Sequence, residues 1–378
     1  MLTKVLKSVG LIAALSLLGI PSNAARASSP TTAPATQPVS IPEAVGRGVK
    51  FLEKFQNADG SWGTGKETRG LEIYSMVPGS LNAFQLGASA LCVMALREAG
   101  EKTAHDKGVK FLLTAEDARR DDGALIYNTW AHIYVVQALS EEILHGNTDP
   151  HLREVAKRNL KEMVEYATYV GGWAYYDFNN HTQQPSMGPT SFGTSAGLVS
   201  LFEAKQAGFE VPEKLLTHSL HQLEKMRLPS GAFLYGADYL YIPTLPANRI
   251  RGSVGRIQPA NYALWLWKSK EVNHERIVEG LDTFFKEHKF LDMGRKRPYP
   301  HESWYQTSGY YYYFDHYYAS RLLDALDAGP AKQRYAKGIA SHVLPHQEAD
   351  GSWWDYAMWD YHKPYGTAFA IMTLLRCK

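Results

Sequence analysis

Apolar side chains return every three to four positions along most of this chain, which is the period of an amphipathic helix. The pattern predicts six helix pairs. They are Ala44 to Phe55 with Ala83 to Glu98, Lys107 to Thr114 with Thr129 to Ile143, and Leu152 to Tyr169 with Thr190 to Ala207. Then come Pro212 to Arg227 with Pro259 to Ser269, His274 to His288 with Thr307 to Leu326, and Ala331 to Leu344 with Tyr365 to Arg376. The two members of a pair differ in kind. First members carry one charged face, as in Leu152-Arg-Glu-Val-Ala-Lys-Arg-Asn-Leu-Lys-Glu, and so expose one side to water. Second members begin without charge, as in Gly87-Ala-Ser-Ala-Leu-Cys-Val-Met-Ala-Leu, and a helix that is apolar or small all round must be covered all round.

Six charged-outside helices around six covered ones make a double ring, an all-α (α/α)6 toroid forming a single closed domain. An open solenoid needs polar capping repeats at both ends. Here the last segment, Gly366-Thr-Ala-Phe-Ala-Ile-Met-Thr-Leu-Leu, is apolar, so docking against the first pair is expected to cover it. An internal repeat supports the same reading. Gln56-Asn-Ala-Asp-Gly60-Ser-Trp62 returns as Gln347-Glu-Ala-Asp-Gly351-Ser-Trp353, and Gly171-Gly-Trp173 matches in part. The second, fourth and fifth pairs keep only a Gly near the turn. In this phrase the Gly lets the chain leave a helix at positive φ. The Trp is expected to lie on a neighbouring helix end while the Gln amide binds loop backbone, stapling adjacent repeats.

The phrase Gln-x3-Gly-x-Trp after a helix, repeated around a ring, resembles the repeat of squalene-hopene and other class II terpene cyclases. The β subunits of protein prenyltransferases share that toroid. The resemblance covers about residues 41 to 378 and implies a central cavity, with the loops between outer and inner helices crowded at one mouth. Such a pocket is the default ligand site.

Residues 1–27 read as a signal peptide: Lys4 and Lys7, an apolar run from Val9 to Ile20, then Ala25-Arg26-Ala27. Residues 28–40 read as a Pro/Thr-rich linker. An exported protein, periplasmic or secreted, is therefore expected. After the leader no apolar run is long enough to span a bilayer. The net charge of +2 argues against a nucleic-acid partner, which needs a basic excess gathered on one face. Cys92 and Cys377 are the only cysteines. Export permits a bridge between them, but their apolar helical settings suit buried thiols.

The resemblance implies two chemistries, and neither motif is complete. The cyclases' Asp-x-Asp-Asp acid is missing, and Asp121-Asp122 reads as a solvated turn. The prenyltransferases' zinc set lacks its Cys, although His362 stands where their last His would be. A zinc set from Asp315 or His316 with Asp360 and His362 is conceivable on ligand type, against a plain polar network at the rim. Tyr310 to Phe314, Tyr317 and Tyr318 surround Asp315 and His316, with Tyr312 and His316 sharing a helix face. Aromatic faces stabilise cations, and they also stack on sugars.

Charge supplies a second line. Arg249, Arg251 and Arg256 are read as one loop and Arg295, Lys296, Arg297 and His301 as the next, a cationic rim of the kind that β-elimination on an acidic sugar requires. Glycoside hydrolysis needs two opposed carboxyls, with Asp177, Asp238, Asp315, Asp355 and Asp360 as candidates. Catalytic candidates are thus Tyr312, Asp315, His316, Asp360 and His362, and substrate-binding candidates are Asp177, His181, Asp238, Arg249, Arg251 and Tyr365. The leading reading is a cavity for an apolar, isoprenoid-like small molecule. An exported lyase or hydrolase on acidic carbohydrate and a non-catalytic scaffold are the alternatives. A dry aromatic lumen favours the first, a wide polar groove the second and a filled lumen the third.

Overall fold

The computed structural model describes residues 39–64, 80–115, 128–174, 188–297, 302–357 and 360–378. The outer member of each pair is α1 (Ile41–Lys54), α3 (Thr103–Thr114), α5 (Pro150–Glu165), α7 (Glu213–Lys225), α9 (His274–Glu287), extended by the short α10 (Lys289–Gly294), or α12 (Pro330–Val343). The inner members are α2 (Ser80–Ala99), α4 (Asn128–Leu144), α6 (Ser191–Gln206), α8 (Ile250–Leu266), α11 (Tyr312–Arg321) and α13 (His362–Arg376). No β-strand forms among the described residues, only two isolated bridges.

The inner helices pack in the order α2, α4, α6, α8, α11, α13, and α13 packs back on α2. The ring is closed. Outer helices wedge against it: α1 lies on α13 and α2, α7 on α6 and α8, and α12 on α11 and α13. Burial follows the sequence pattern. Along α6 nearly every residue is buried, whereas α5 buries Leu152, Val155, Ala156, Asn159, Leu160 and Met163 on one stripe.

The repeated phrase builds the joints. The indole N–H groups of Trp62, Trp173 and Trp353 donate to the carbonyls of Leu52, Met163 and Val343, each ten residues back, at 2.7, 2.8 and 3.0 Å. The backbone N–H of each Trp donates to a hydroxyl on the following inner helix, from Ser89, Thr194 and Thr367. In the fourth repeat Phe233 takes the Trp position and Ser253 supplies the hydroxyl. Gln56 donates both to Gly60 in its own loop and to Ala104 of the next outer helix. Gln347 does the same to Gly351 and Ala44, which ties the last repeat to the first.

One boundary departs from the sequence reading. Helix α8 begins at Ile250, nine residues before Pro259, which lies inside it. The run Arg251-Gly-Ser-Val-Gly reads as a loop because of its glycines. Gly255, however, serves close packing, since a Cβ there would come within 2.4 Å of the Tyr311 side chain. Cys92 and Cys377 are separate buried thiols, and burial raises both well above the usual thiol range. No described helix is long and apolar enough to cross a membrane. The leader and most of the linker lie outside the described residues.

Candidate functional site

Starts of inner helices meet at one end of the ring and their C-termini at the other. At the C-terminal end a buried ionic lattice draws on every inner helix. Arg97 pairs with Glu141, Arg321 with Glu203 at 2.9 Å, and Arg376 with Glu98 at 2.6 Å. Arg321 also stands 3.9 Å from Glu141 and bonds the hydroxyls of Tyr262 and Tyr317. Burial opposes the charge of Glu141, but Arg97 and Arg321 outweigh it and hold its carboxyl below the usual range. For Glu203, burial and the neighbouring Glu141 win, and its carboxyl is raised. Above this lattice the lumen is filled. Helices α4 and α11 are opposite in ring order, yet Trp130 and Phe314 meet edge to face with centroids 6.4 Å apart. Tyr134 reaches Phe369 at 6.1 Å. Among the described residues a wide central channel is therefore replaced by edge-to-face rings, the filled lumen that the sequence reading tied to a scaffold, and only the mouth is left for a ligand.

The mouth is different. Trp130 stacks on Phe192 at 5.6 Å, Phe192 leans on Tyr311 and Tyr235, and Phe84 stacks on Tyr361. Trp130, Phe84, Tyr235, Tyr310 and Tyr365 are only half-buried. A small crevice of about 10 Å³, with room for no more than one water, lies between Thr129, Trp130 and Ile133 of α4 and Thr190, Phe192 and Gly193 at the start of α6. On the α11–α13 side of the mouth, the loop after Trp353 buries Asp355. Its carboxylate accepts from the Tyr365 hydroxyl and the Tyr356 N–H, both at 2.8 Å, and from the Tyr313 N–H at 3.4 Å. Complete burial outweighs these three donors and raises Asp355 to about 6. A carboxyl titrating near neutrality can give or hold a proton there.

The sequence-derived candidates separate into two groups. Asp360, His362 and Tyr365 come together with Asp355 at the start of α13. Asp360 accepts from the Thr64 N–H, burial raises its carboxyl, and His362 packs on Trp354. Asp238 is exposed on the turn Ala237–Tyr239, and Arg249 precedes α8, its guanidinium donating back to the Thr244 carbonyl and not to the helix. Arg251 sits in the first turn of α8 at the same end.

Tyr312, Asp315 and His316 belong elsewhere. A helix gives each residue its own direction, and on α11 these three turn away from the lumen face held by Phe314, Tyr317 and Tyr318. Tyr312 donates to the His342 carbonyl on α12. Asp315 is buried, with Gln258 and Arg256 of α8 as neighbours, and burial raises it well above the usual range. His316 meets His288. A zinc set joining them to Asp360 and His362 is not assembled, because the two groups face different layers.

The cationic rim also needs correction. Arg256 is fully buried and donates to the carbonyls of Gly252, Phe233 and Ala247 and to Thr307, so it straps α8 to its surroundings. Lys296 pairs with Glu348 and lies 4.3 Å over the Trp354 ring. Asp177, His181, His301 and Asp121-Asp122 lie outside the described residues.

Two groupings escaped the sequence reading. The ionic lattice had a signal, since α2, α4, α6, α11 and α13 end apolar runs on Arg or Glu. The other is a histidine cluster between outer and inner layers. His288 Nε2 lies 3.0 Å from His316 Nε2, His288 Nδ1 lies 2.9 Å from Asp292, and His342 stacks on His288 at 3.5 Å. Burial and the neighbouring His288 hold His316 well below the usual histidine range and bring His342 down to about 4. The spacings His288-x3-Asp292 and His342-x3-His346 were its signal.

No protein-family model and no curated protein match the sequence. Solved structures do. The type II terpene cyclase MstE from Scytonema is 14% identical with a TM-score of 0.52, over 89% of this chain and 97% of that one. It is also known in complex with its substrate, geranylgeranyl dihydroxybenzoate. The GH76A α-1,6-mannanase from Salegentibacter is 12% identical with a TM-score of 0.55, over 90% and 100%. A family 76 glycoside hydrolase from a bovine Bacteroides thetaiotaomicron strain is 14% identical with a TM-score of 0.58, over 89% and 77%. Closed inner ring, wedged outer helices and these likenesses lead to one statement: the chain folds as the α/α toroid that terpene cyclases and family 76 glycoside hydrolases share.

Proposed function

We propose that this chain is an exported toroid that binds an apolar, isoprenoid-like molecule at its aromatic mouth and can protonate it there. The observation that carries the reading is the pairing of half-buried rings with Asp355, a carboxyl raised to about 6 and hydrogen-bonded to Tyr365. Aromatic faces shelter an apolar chain and stabilise any cation formed on it. When Asp355 takes up a proton its bond to Tyr365 reverses: the carboxyl O–H donates to the phenol oxygen, and the tyrosine O–H is freed toward the mouth. Tyr365 then gives its proton to substrate and recovers one from Asp355. Tyr365 is the group that touches substrate, and Asp355 is its proton reserve. The cyclase's geranylgeranyl substrate supports the ligand class by analogy of fold. Export rests on the leader of residues 1–27.

The test is incubation of purified protein with a panel of acyclic polyprenols and prenylated phenols, followed by mass spectrometry of the products. Conversion that falls about tenfold per pH unit above 6, and that disappears in Asp355→Asn and Tyr365→Phe, is expected for an acid of this kind. Binding without conversion would leave a carrier; neither binding nor conversion would reduce the molecule to a scaffold.

A carbohydrate ligand is the second reading. Asp238 is exposed beside the Tyr235–Tyr239 ring pair, which gives the mouth another carboxyl. Glycosidases work with two, and the mannanase neighbour is known in complex with α-1,6-mannotetrose. Release of reducing sugar from mannans, lost in Asp238→Asn, would favour it over the isoprenoid reading.

A further inference from the structure

We propose that His288, Asp292 and His342 form a binding site for one divalent transition-metal ion of the zinc type, set between the outer and inner layers. One ligand atom from each lies within 4.8 Å of the others. A tetrahedral zinc with bonds of about 2.1 Å holds its ligands roughly 3.4 Å apart, so the three side chains need close by little more than an ångström. Imidazole and carboxylate are the donor types that suit zinc, cobalt and nickel.

Hydrogen-bond bookkeeping points the same way. His316 Nδ1 lies 2.6 Å from the Tyr312 carbonyl, which can only accept, so this nitrogen carries a hydrogen. In a fully buried, neutral His316 the Nε2 is then a lone pair. It faces His288 Nε2 at 3.0 Å, so His288 donates from that atom. The remaining nitrogen of His288, Nδ1, thereby turns a lone pair toward Asp292 Oδ2 at 2.9 Å. Two lone pairs at that distance repel unless a cation joins them. A proton on Nδ1 would serve, and so would a metal ion, for which His342 offers a third donor once its ring, stacked on His288 at 3.5 Å with planes 23° apart, swings clear.

The surroundings fit a metal site. His316 orients His288 through the ring nitrogen that would not bind the metal, and its own far nitrogen is fixed by backbone, the usual outer support of a ligating histidine. Phe284 packs edge-on against both rings and keeps them in place. Asp292 is 45% exposed and offers an entry path, and His346 borders the open side with Nε2 3.9 Å from Asp292. The ligands come from the α9–α10 junction, α10 and the end of α12, so a bound ion would clamp the fifth and sixth repeats together.

Titration of the untagged full chain, stripped with chelator, with cobalt(II) reads this directly through the visible absorption of a tetrahedral centre. One ion per chain is expected, with zinc displacing the cobalt spectrum. Asp292→Asn and His342→Asn should each weaken binding at least about tenfold, and His316→Gln, which acts only through His288, should weaken it roughly ten- to a hundredfold. Asp292 is exposed enough for its variant to fold, and melting curves without metal would verify this for all three. Absence of saturable binding, or binding that survives in Asp292→Asn and His342→Asn alike, would overturn the site and leave a proton between His288 and Asp292.

Discussion

Asp355 shows how one position takes its chemistry from place and not from sequence. An aspartate after Gly-Ser-Trp-Trp could be a turn residue, a cap or an acid. Complete burial lifts it to about 6 against an ordinary value near 4. Its protonated form is then favoured by folding, so the folded state holds a proton that the unfolded chain releases between about pH 4 and pH 6. Stability from this group is greatest at low pH and falls as pH rises through that window. The shift corresponds to roughly 3 kcal/mol. Asp355→Asn does not titrate. Wild type is expected to lose roughly 3 kcal/mol relative to that variant between pH 4 and pH 6.5 in urea unfolding. A difference that stays flat across the window would show that Asp355 is not a buried acid. At this scale the sequence was least legible. It brought Asp360, His362 and Tyr365 to one rim but placed Tyr312, Asp315 and His316 there too. The period of a helix gives neighbours and not the direction of the axis, so α11's two faces could not be told apart.

Elements were more legible, because burial on one stripe or on all sides leaves a periodic trace. Each of the six pairs is present, with ends shifted by a few residues. Helix α8 is the exception, and Gly255 explains it: small residues mark close contacts as readily as turns. The joints between pairs make a sharper claim. Gly351 has φ of 91°, and a Cβ on it would lie 2.5 Å from the Arg47 carbonyl in the first helix. Gly146 has φ of 90° but open space around it. Both Ala variants carry the left-handed penalty of about 1–2 kcal/mol. Gly351→Ala must also push α1 from the loop between α12 and α13, so it is expected to cost a further 1 kcal/mol or more, of the order seen for overpacking (about 1–3 kcal/mol). Equal losses in the two variants would mean that the seam between first and last repeats is loose.

For the whole molecule, closure has a consequence that no single repeat shows. Six inner helices pointing the same way bring six C-termini together, and the chain answers with charges of both signs. Arg321 is the hub, reaching Glu203, Glu141, Tyr262 and Tyr317. Removing one partner from a buried ionic group strands the others, at a cost of about 3–5 kcal/mol. Arg321→Met is expected to lose stability in that range at pH 7. The deficit should shrink on acidification as the raised Glu203 protonates first. A deficit unchanged by acid would place the loss in packing instead. With this end locked and the lumen filled by Trp130, Phe314, Tyr134 and Phe369, the mouth is where a ligand can enter.

That placement is open to direct test by photocrosslinking with a diazirine-bearing geranylgeraniol and mapping of the labelled peptides. Labels concentrated on the segments holding Trp130, Phe192, Tyr311 and Tyr365, and competed away by unlabelled polyprenol, are the expected result. Labels scattered over the outer helices, or labelling that competitor leaves untouched, would contradict a ligand site at the mouth of the ring.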